Sequence, residues 1–188
     1  TSVTGVQTCA LPIFENFANP DIHERTTARE IWDQSNQNID GLVTGVGTGG
    51  TVTGCARFLK KVNPNCKIYA VEPAKSAVIS GEKAGSHSIQ GIGAGFIPKV
   101  LNTQLIDEII KIDDDEAFYF GRLLARLEGL LSGISSGAAL AATIKIGQRE
   151  ELSNQRLIVI LPSFGERYLS TAMFESNTAI KARQDGYL

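Results

Sequence analysis

The stretch between residues 39 and 71 constrains the fold of this chain more than any other part of its sequence. Residues 39–46 are apolar enough for a buried strand, and the glycines that follow break it before residues 51–61 take up helical spacing. Residues 67–71 then predict a second short strand. A strand, a helix and a strand within about thirty residues form a β-α-β unit, and such a crossover joins parallel strands.

The same alternation of strands and helices continues along the chain. Further strands are expected at residues 105–112 and 156–161, and further helices at residues 113–128, 135–147 and from 166 onward. We therefore predict an α/β fold with an open, mostly parallel twisted sheet that carries helices on both faces.

Polar residues mark the expected starts of two helices. The acids at 113–116 suit the cap and first turn of a helix, and Ser135 is expected to cap the alanine-rich helix after a short apolar segment at 129–134.

Residues 73–104 are rich in glycine, serine and proline and form a longer connection than two elements need. Loops of this length usually carry function, so ligand contacts are expected there.

Composition excludes several classes of function. The 188 residues carry 18 Lys and Arg against 20 Asp and Glu, a net charge of −2, which provides no basic field for nucleic acid or an anionic membrane. The longest apolar stretch, at 157–161, is far too short to cross a bilayer. Cys9, Cys55 and Cys66 form no paired or metal-binding pattern and are interpreted as reduced structural thiols.

The glycine turn at residues 45–51 is the strongest local sign of a ligand site. Glycines at the start of a helix expose backbone N–H groups to an anion. The spacing of Gly45, Gly47 and Gly50 also fits a dinucleotide fingerprint, with Glu72 at the position of a ribose-binding acid, which would make the chain a nicotinamide oxidoreductase. Thr48 and Thr51 instead add hydroxyl donors suited to a terminal phosphate monoester. Spacing alone leaves both ligands open.

Several long motifs, in order, resemble one family: the cysteine synthases (O-acetylserine sulfhydrylases), β-family pyridoxal-phosphate enzymes with a tryptophan-synthase-like fold. The resemblance runs from about residue 14 to residue 174. It rests on Ala18-Asn19-Pro20, Thr26-Thr27, Glu30-Ile31-Trp32, residues 45–54, Val71-Glu72-Pro73, residues 90–98, residues 132–139 and residues 162–171.

The resemblance implies roles for particular residues. It assigns the phosphate group of pyridoxal 5'-phosphate to a loop formed by Gly47, Thr48, Gly49, Gly50 and Thr51. It assigns Ser135 to the pyridine nitrogen of the cofactor, where a neutral hydroxyl makes the ring a milder electron sink than a carboxylate would. It assigns the substrate and sulfide side of the site to a segment that includes Gln90, Gly91 and Gly95, and it makes Glu72 part of the scaffold.

The two histidines and a nearby lysine have weaker assignments. Lys83 and His87 fall where plant relatives have a loop implicated in docking serine acetyltransferase. We interpret His87 as an exposed loop residue, with partner contact as the alternative, and His23 as a surface residue. Nothing near His87 suggests a metal cluster or a catalytic triad, and a metal site is the alternative to helix capping for the acidic run at residues 113–116.

The chain does not contain the family's catalytic motif. The lysine in a Ser-x-Lys-Asp-Arg context and the asparagine loop Thr-Ser-Gly-Asn-Thr-Gly are both absent, so no catalytic residue is assigned. Residues 1–13 resemble nothing in the family and are expected to be foreign to it, and Ile13 stands where relatives have a glutamine. Residues 14–174 are expected to be the C-terminal part of the enzyme, and residues 175–188 a polar tail.

The implied activity of the complete enzyme is cysteine biosynthesis from O-acetyl-L-serine and sulfide, with the 188 residues alone expected to be inactive. β-Cyanoalanine synthase, cystathionine β-synthase and a non-catalytic module that binds a serine acetyltransferase tail are the alternatives. The resemblance also implies a homodimer. A cytoplasmic location is expected, with plastid and mitochondrion as alternatives.

Overall fold

The computed structural model describes residues 13–174 of the chain. The predicted foreign segment at residues 1–13 and the polar tail at 175–188 therefore lie outside the described residues, except for Ile13. The predicted boundaries stay predictions.

The described part of the chain forms five helices and four strands. The helices are α1 (Ala18–Arg25), α2 (Thr27–Gln34), α3 (Gly50–Val62), α4 (Asp114–Glu128) and α5 (Ile134–Gly147). The strands are β1 (Gly41–Gly45), β2 (Lys67–Pro73), β3 (Glu108–Ile112) and β4 (Leu157–Val159). Short 3₁₀ turns lie at Ala74–Ser76, Thr103–Leu105, Glu150–Leu152 and Gly165–Tyr168.

The four strands form one parallel sheet in the order β3-β2-β1-β4. Gly41 of β1 is in register with Lys67 of β2 on one side and with Leu157 of β4 on the other. This sheet confirms the predicted α/β class and the parallel β-α-β unit.

Helices cover both faces of the sheet because neighbouring strand residues point to opposite sides. Val43 and Val71 pack into a core shared with α4 and α5. Leu42 and Ala70 pack into a second core shared with α2 and α3. The strands are therefore apolar on both sides, as expected of a buried parallel sheet.

Several predicted boundaries were wrong. Strand β3 begins at Glu108, because Thr103–Leu105 turns as a 3₁₀ helix before it, and β4 is only three residues long. The last predicted helix is a single 3₁₀ turn, Gly165–Tyr168, within the described residues. Helices α1 and α2 have no counterpart in the sequence patterns described above, because both are short and largely polar at their surface.

The predicted N-terminal cap is confirmed for α4 and wrong for α5. Asp113 is the N-cap of α4, and the carboxylate of Glu116 accepts the Asp113 N–H at 3.3 Å, so the acidic run caps the helix as predicted. The N-cap of α5 is Gly133, not Ser135. A side chain at position 133 would collide with Ser163 and Tyr168, so only glycine fits at that helix start. The segment before it forms an isolated bridge between Ser132 and Phe164 rather than a strand.

Candidate functional site

The candidate site lies at the carboxyl end of the central strand β1. Strand β1 has β2 on one side and β4 on the other, so the direction of strand order reverses beside it. Open α/β sheets bind ligands in the crevice at such a reversal. The glycine turn that leaves β1 and enters α3 is placed at this crevice.

Backbone donors of the glycine turn are available to a ligand. The N–H groups of Gly47, Thr48 and Gly49 donate to no other atom among residues 13–174. The first turn of α3 adds N–H groups that no helix can pair internally. Donors that converge at a helix start make a site for an anion.

Close packing explains the glycines in this turn. A Cβ at Gly47 would collide with the carbonyl oxygen of Gly91, and a Cβ at Gly50 would collide with the side-chain amide of Asn19. Gly49 has a φ of 84°, which side chains disfavour, and Leu101 lies where its Cβ would be. The glycines are therefore required by the close approach of neighbouring residues to the turn.

The predicted substrate segment lies against the glycine turn. The N–H of Gly93 donates to the carbonyl of Val46 at 3.1 Å, and Ile92 packs against Gly45. Gly91 and Gly95 have φ values of 95° and 80°, so both positions favour glycine. Gln90 is exposed. The structure thus brings residues 90–95 and residues 47–51 to the same edge of the sheet.

Ser135 approaches the same edge from the opposite face of the sheet. It lies in the first turn of α5 with only 4% of the residue's surface exposed, and its hydroxyl makes no hydrogen bond within residues 13–174. The fully enclosed hydroxyls without a partner in that part of the chain are instead those of Ser76, Ser132 and Ser136. A Cβ at Gly91 would lie 3.7 Å from Ser135 Oγ. The Ser135 hydroxyl is therefore accessible and available to hydrogen-bond a ligand.

Two residues of the site were missed by sequence reasoning. Asn19 Nδ2 donates to Thr48 Oγ1 at 3.0 Å, and His23 Nε2 lies 3.3 Å from Thr51 Oγ1. Both belong to α1 and stand one helical turn apart. The i, i+4 spacing in the sequence was the available signal, but it identifies no partner until α1 is placed beside α3.

The prediction that His23 is a surface residue was wrong. Its ring is half-buried between α1 and α3, and Nδ1 lies 2.9 Å from Thr27 Oγ1. Burial lowers the pKa of His23 from its ordinary value of 6.5. The imidazole is therefore neutral near pH 7.

His87 is also more enclosed than predicted. Its Nδ1 accepts the Ile89 N–H at 3.2 Å, which leaves Nε2 to donate to the Gly93 carbonyl at 3.0 Å. The ring thus links Ile89, just before the substrate segment, to Gly93 within it. Lys83 is exposed, as expected of a loop residue.

Glu72 belongs to the scaffold. Its carboxylate accepts the Ile79 N–H at 2.9 Å and the Ser80 N–H at 3.0 Å, and only 1% of its surface is exposed. It anchors the start of the long loop and is not accessible to a ribose. Glu72 is therefore unavailable as the ribose-binding acid that the dinucleotide interpretation requires.

The remaining predictions concern the cysteines, metal binding and membrane-spanning segments. Cys55 and Cys66 are free and buried, and Cys9 lies outside the described part. Residues 13–174 hold no group of three or more His, Cys, Asp or Glu placed to bind a metal. Among the same residues, no helix combines the length and apolarity that a membrane crossing requires.

The residues fit a phosphorylated ring cofactor. The glycine turn can hold a phosphate group, and the unpaired hydroxyl of Ser135 can meet a ring atom across the crevice. The fold and these residues are those of an α/β protein with a candidate phosphate-binding site at the carboxyl end of its sheet.

Comparison with known proteins identifies that class more closely. The sequence profile described as "Pyridoxal-phosphate dependent enzyme" matches residues 7–163. Cysteine synthase A of Escherichia coli strain K12 is 50% identical over 169 residues, which cover 86% of this chain and 52% of the relative. Cysteine synthase of Buchnera aphidicola from Acyrthosiphon pisum is 51% identical and is covered to 54%.

A solved structure agrees with this result. Cysteine synthase of Entamoeba histolytica superposes with a TM-score of 0.85 at 43% identity, over 86% of this chain and 48% of that one. The chain belongs to the pyridoxal-phosphate dependent enzyme family. It spans about half the length of the curated relatives it matches.

Proposed function

We propose that this chain is part of a cysteine synthase, which replaces the acetoxy group of O-acetyl-L-serine with sulfide to give L-cysteine and acetate. The relatives at about half identity carry that name, which supports the choice of reaction. The observation that carries the proposal is that the accessible, unpaired hydroxyl of Ser135 approaches Gly91 at the same sheet edge as a glycine turn with unpaired N–H groups. Pyridoxal phosphate, when bound, supplies the electron sink for replacement at the β-carbon of an amino acid.

The proposed roles follow from the donors that the residues present. Backbone N–H groups of Gly47, Thr48 and Gly49 would hold the phosphate, with the hydroxyls of Thr48 and Thr51 beside them. Gly50 starts α3 and leaves room for the Asn19 amide. The phosphate end of the cofactor would thus be fixed by rigid backbone.

Ser135 would orient the other end of the cofactor. A hydroxyl can donate a hydrogen bond to a ring nitrogen without carrying a compensating negative charge. The nitrogen then stays neutral and withdraws electrons less strongly. This polarity suits elimination of a good leaving group such as acetate.

The segment with Gln90, Gly91 and Gly95 would line the side from which the second substrate enters. Gly91 and Gly95 leave backbone in place of side chains there. A small nucleophile such as sulfide fits this proposal. Cyanide or homocysteine as the second substrate are the alternatives within the family.

The 188 residues on their own are expected to make no cysteine, because they contain no Ser-x-Lys-Asp-Arg lysine. A homodimer, contact with serine acetyltransferase and a cytoplasmic location stay predictions. Both ring nitrogens of His87 are engaged within its own loop, which argues against His87 as a partner contact. Exposed Lys83 is the more accessible residue for such a partner.

Two measurements test the proposal. The first is equilibrium binding of pyridoxal phosphate to the 188-residue chain, with Ser135→Ala as the variant; we expect binding, weakened in the variant. The second is a product assay on the complete enzyme with acetylserine and sulfide, cyanide or homocysteine. Cysteine as the main product supports the proposal, and failure to use sulfide would overturn it.

A further inference from the structure

Asn19 reaches from α1 into the glycine turn and contacts two of its residues. Its Nδ2 donates to Thr48 Oγ1 at 3.0 Å and to the carbonyl of Ile13 at 3.1 Å. The side-chain amide also occupies the space where a Cβ of Gly50 would lie. Asn19 therefore packs directly against the turn at Thr48 and Gly50.

The orientation of the Asn19 amide follows from its partners. A carbonyl oxygen only accepts hydrogen bonds, so the atom that faces Ile13 must be the amide nitrogen. The same nitrogen carries the second hydrogen toward Thr48. Asn19 is consequently a donor to the Thr48 hydroxyl and not an acceptor from it.

The Thr48 hydroxyl receives a second hydrogen bond. The backbone N–H of Gly50 donates to Thr48 Oγ1 at 3.3 Å. A hydroxyl has two lone pairs and one hydrogen, so Asn19 and Gly50 together use its accepting capacity. Only its O–H remains, and that group can act only as a donor.

We propose that Asn19 is a positioning residue that fixes the Thr48 hydroxyl as a hydrogen-bond donor. The turn then favours a phosphate dianion, whose oxygens only accept hydrogen bonds. The inference rests on the proposed function of the turn as the cofactor phosphate site. It adds a residue outside the turn to that site and states how the residue acts. A ligand group that must donate a hydrogen to Thr48 would be disfavoured.

Asn19→Asp provides the sharpest test because aspartate has nearly the same shape as asparagine. A carboxylate would accept the Thr48 O–H, turn it away from the ligand and add a negative charge beside it. We expect Asn19→Asp to weaken pyridoxal phosphate binding to the full 188-residue chain by about tenfold or more, and Asn19→Ala to weaken it less. Pyridoxal, which lacks the phosphate, serves as the matched probe and should bind all variants alike.

The control is Asn65→Asp, which adds the same charge at the exposed far end of α3. Dissociation constants are measured by equilibrium dialysis with pyridoxal phosphate, pyridoxal and inorganic phosphate, and folding is checked by thermal unfolding. If pyridoxal phosphate binds more tightly than pyridoxal by the same factor in wild type and in Asn19→Asp, the inference is overturned while the proposed site stays intact. Failure of the wild-type chain to bind pyridoxal phosphate or phosphate would instead overturn the proposed site, and the inference with it.

A double-mutant cycle covers the case in which Asn19→Asp does not fold. Thr48→Val removes the hydroxyl at nearly constant shape. If Asn19 acts through Thr48, Asn19→Ala should cost little more affinity in the Thr48→Val background, so the two effects are not additive. Additive losses would show that Asn19 acts independently of Thr48 and would overturn the inference.

Discussion

The carbonyl oxygen of Gly91 lies against the Cα of Gly47 so closely that no side chain fits on Gly47. This contact joins the predicted substrate segment to the predicted phosphate turn through backbone alone. The two sequence motifs, more than forty positions apart, therefore form one surface.

Gly47→Ala should separate these two segments. The added methyl group meets backbone that cannot rotate away, so we expect a loss of about 1–3 kcal/mol in the free energy of unfolding together with weaker pyridoxal phosphate binding. Urea denaturation measures the first effect and dialysis the second. Gly147→Ala is the matched control, because nothing lies within 4 Å of a Cβ at that position. Equal effects of the two substitutions would contradict the prediction.

Glu72→Gln tests the scaffold role of Glu72. Glutamine replaces one of two accepting oxygens with an amide that cannot accept, which leaves the N–H of Ile79 or Ser80 unpaired in a buried site. We expect a loss of about 1–3 kcal/mol in the free energy of unfolding, measured in urea. Glu128→Gln, at an exposed position, should have little effect. A stable Glu72→Gln protein with altered NADH affinity would restore the dinucleotide interpretation.

The lowered pKa of His23, which results from burial, predicts a pH dependence of stability. The unfolded chain binds a proton at this residue more readily than the folded chain does. The stability contribution is therefore fully present above pH 6.5 and is lost as the pH falls through the lowered pKa of the folded state. Between neutral and mildly acidic pH, the free energy of unfolding measured in urea should fall more steeply with decreasing pH in wild type than in His23→Gln. Identical pH profiles would show that His23 makes no such contribution.

The buried cysteines should not react in the folded protein. Burial raises the pKa of Cys55 to about 12 and that of Cys66 to about 11, so neither forms the reactive thiolate near neutral pH. In a Cys9→Ser variant, we expect Ellman's reagent to modify no thiol before denaturation and both thiols after it. Rapid modification of the native variant would contradict the burial of these side chains.

The α/β class, the parallel β-α-β unit and the glycine turn were determined by sequence alone. Strand and helix periods, and the glycines between them, depend on neighbours along the chain and are therefore readable without coordinates. The motifs at residues 45–54 and 90–98 likewise identified the family that the comparisons confirmed. The proposed roles of the site residues stay predictions.

Contacts between distant elements were decided only by the tertiary structure. Asn19 and His23 look like ordinary polar residues of a short helix until α1 packs beside α3 and brings them to Thr48 and Thr51. Ser135 does not cap α5 because the helix begins at Ile134, after Gly133, where Ser163 and Tyr168 from a later part of the chain leave no room for a side chain. Local sequence determines which elements form, whereas the direction in which a hydroxyl donates depends on atoms that only folding brings within hydrogen-bond distance.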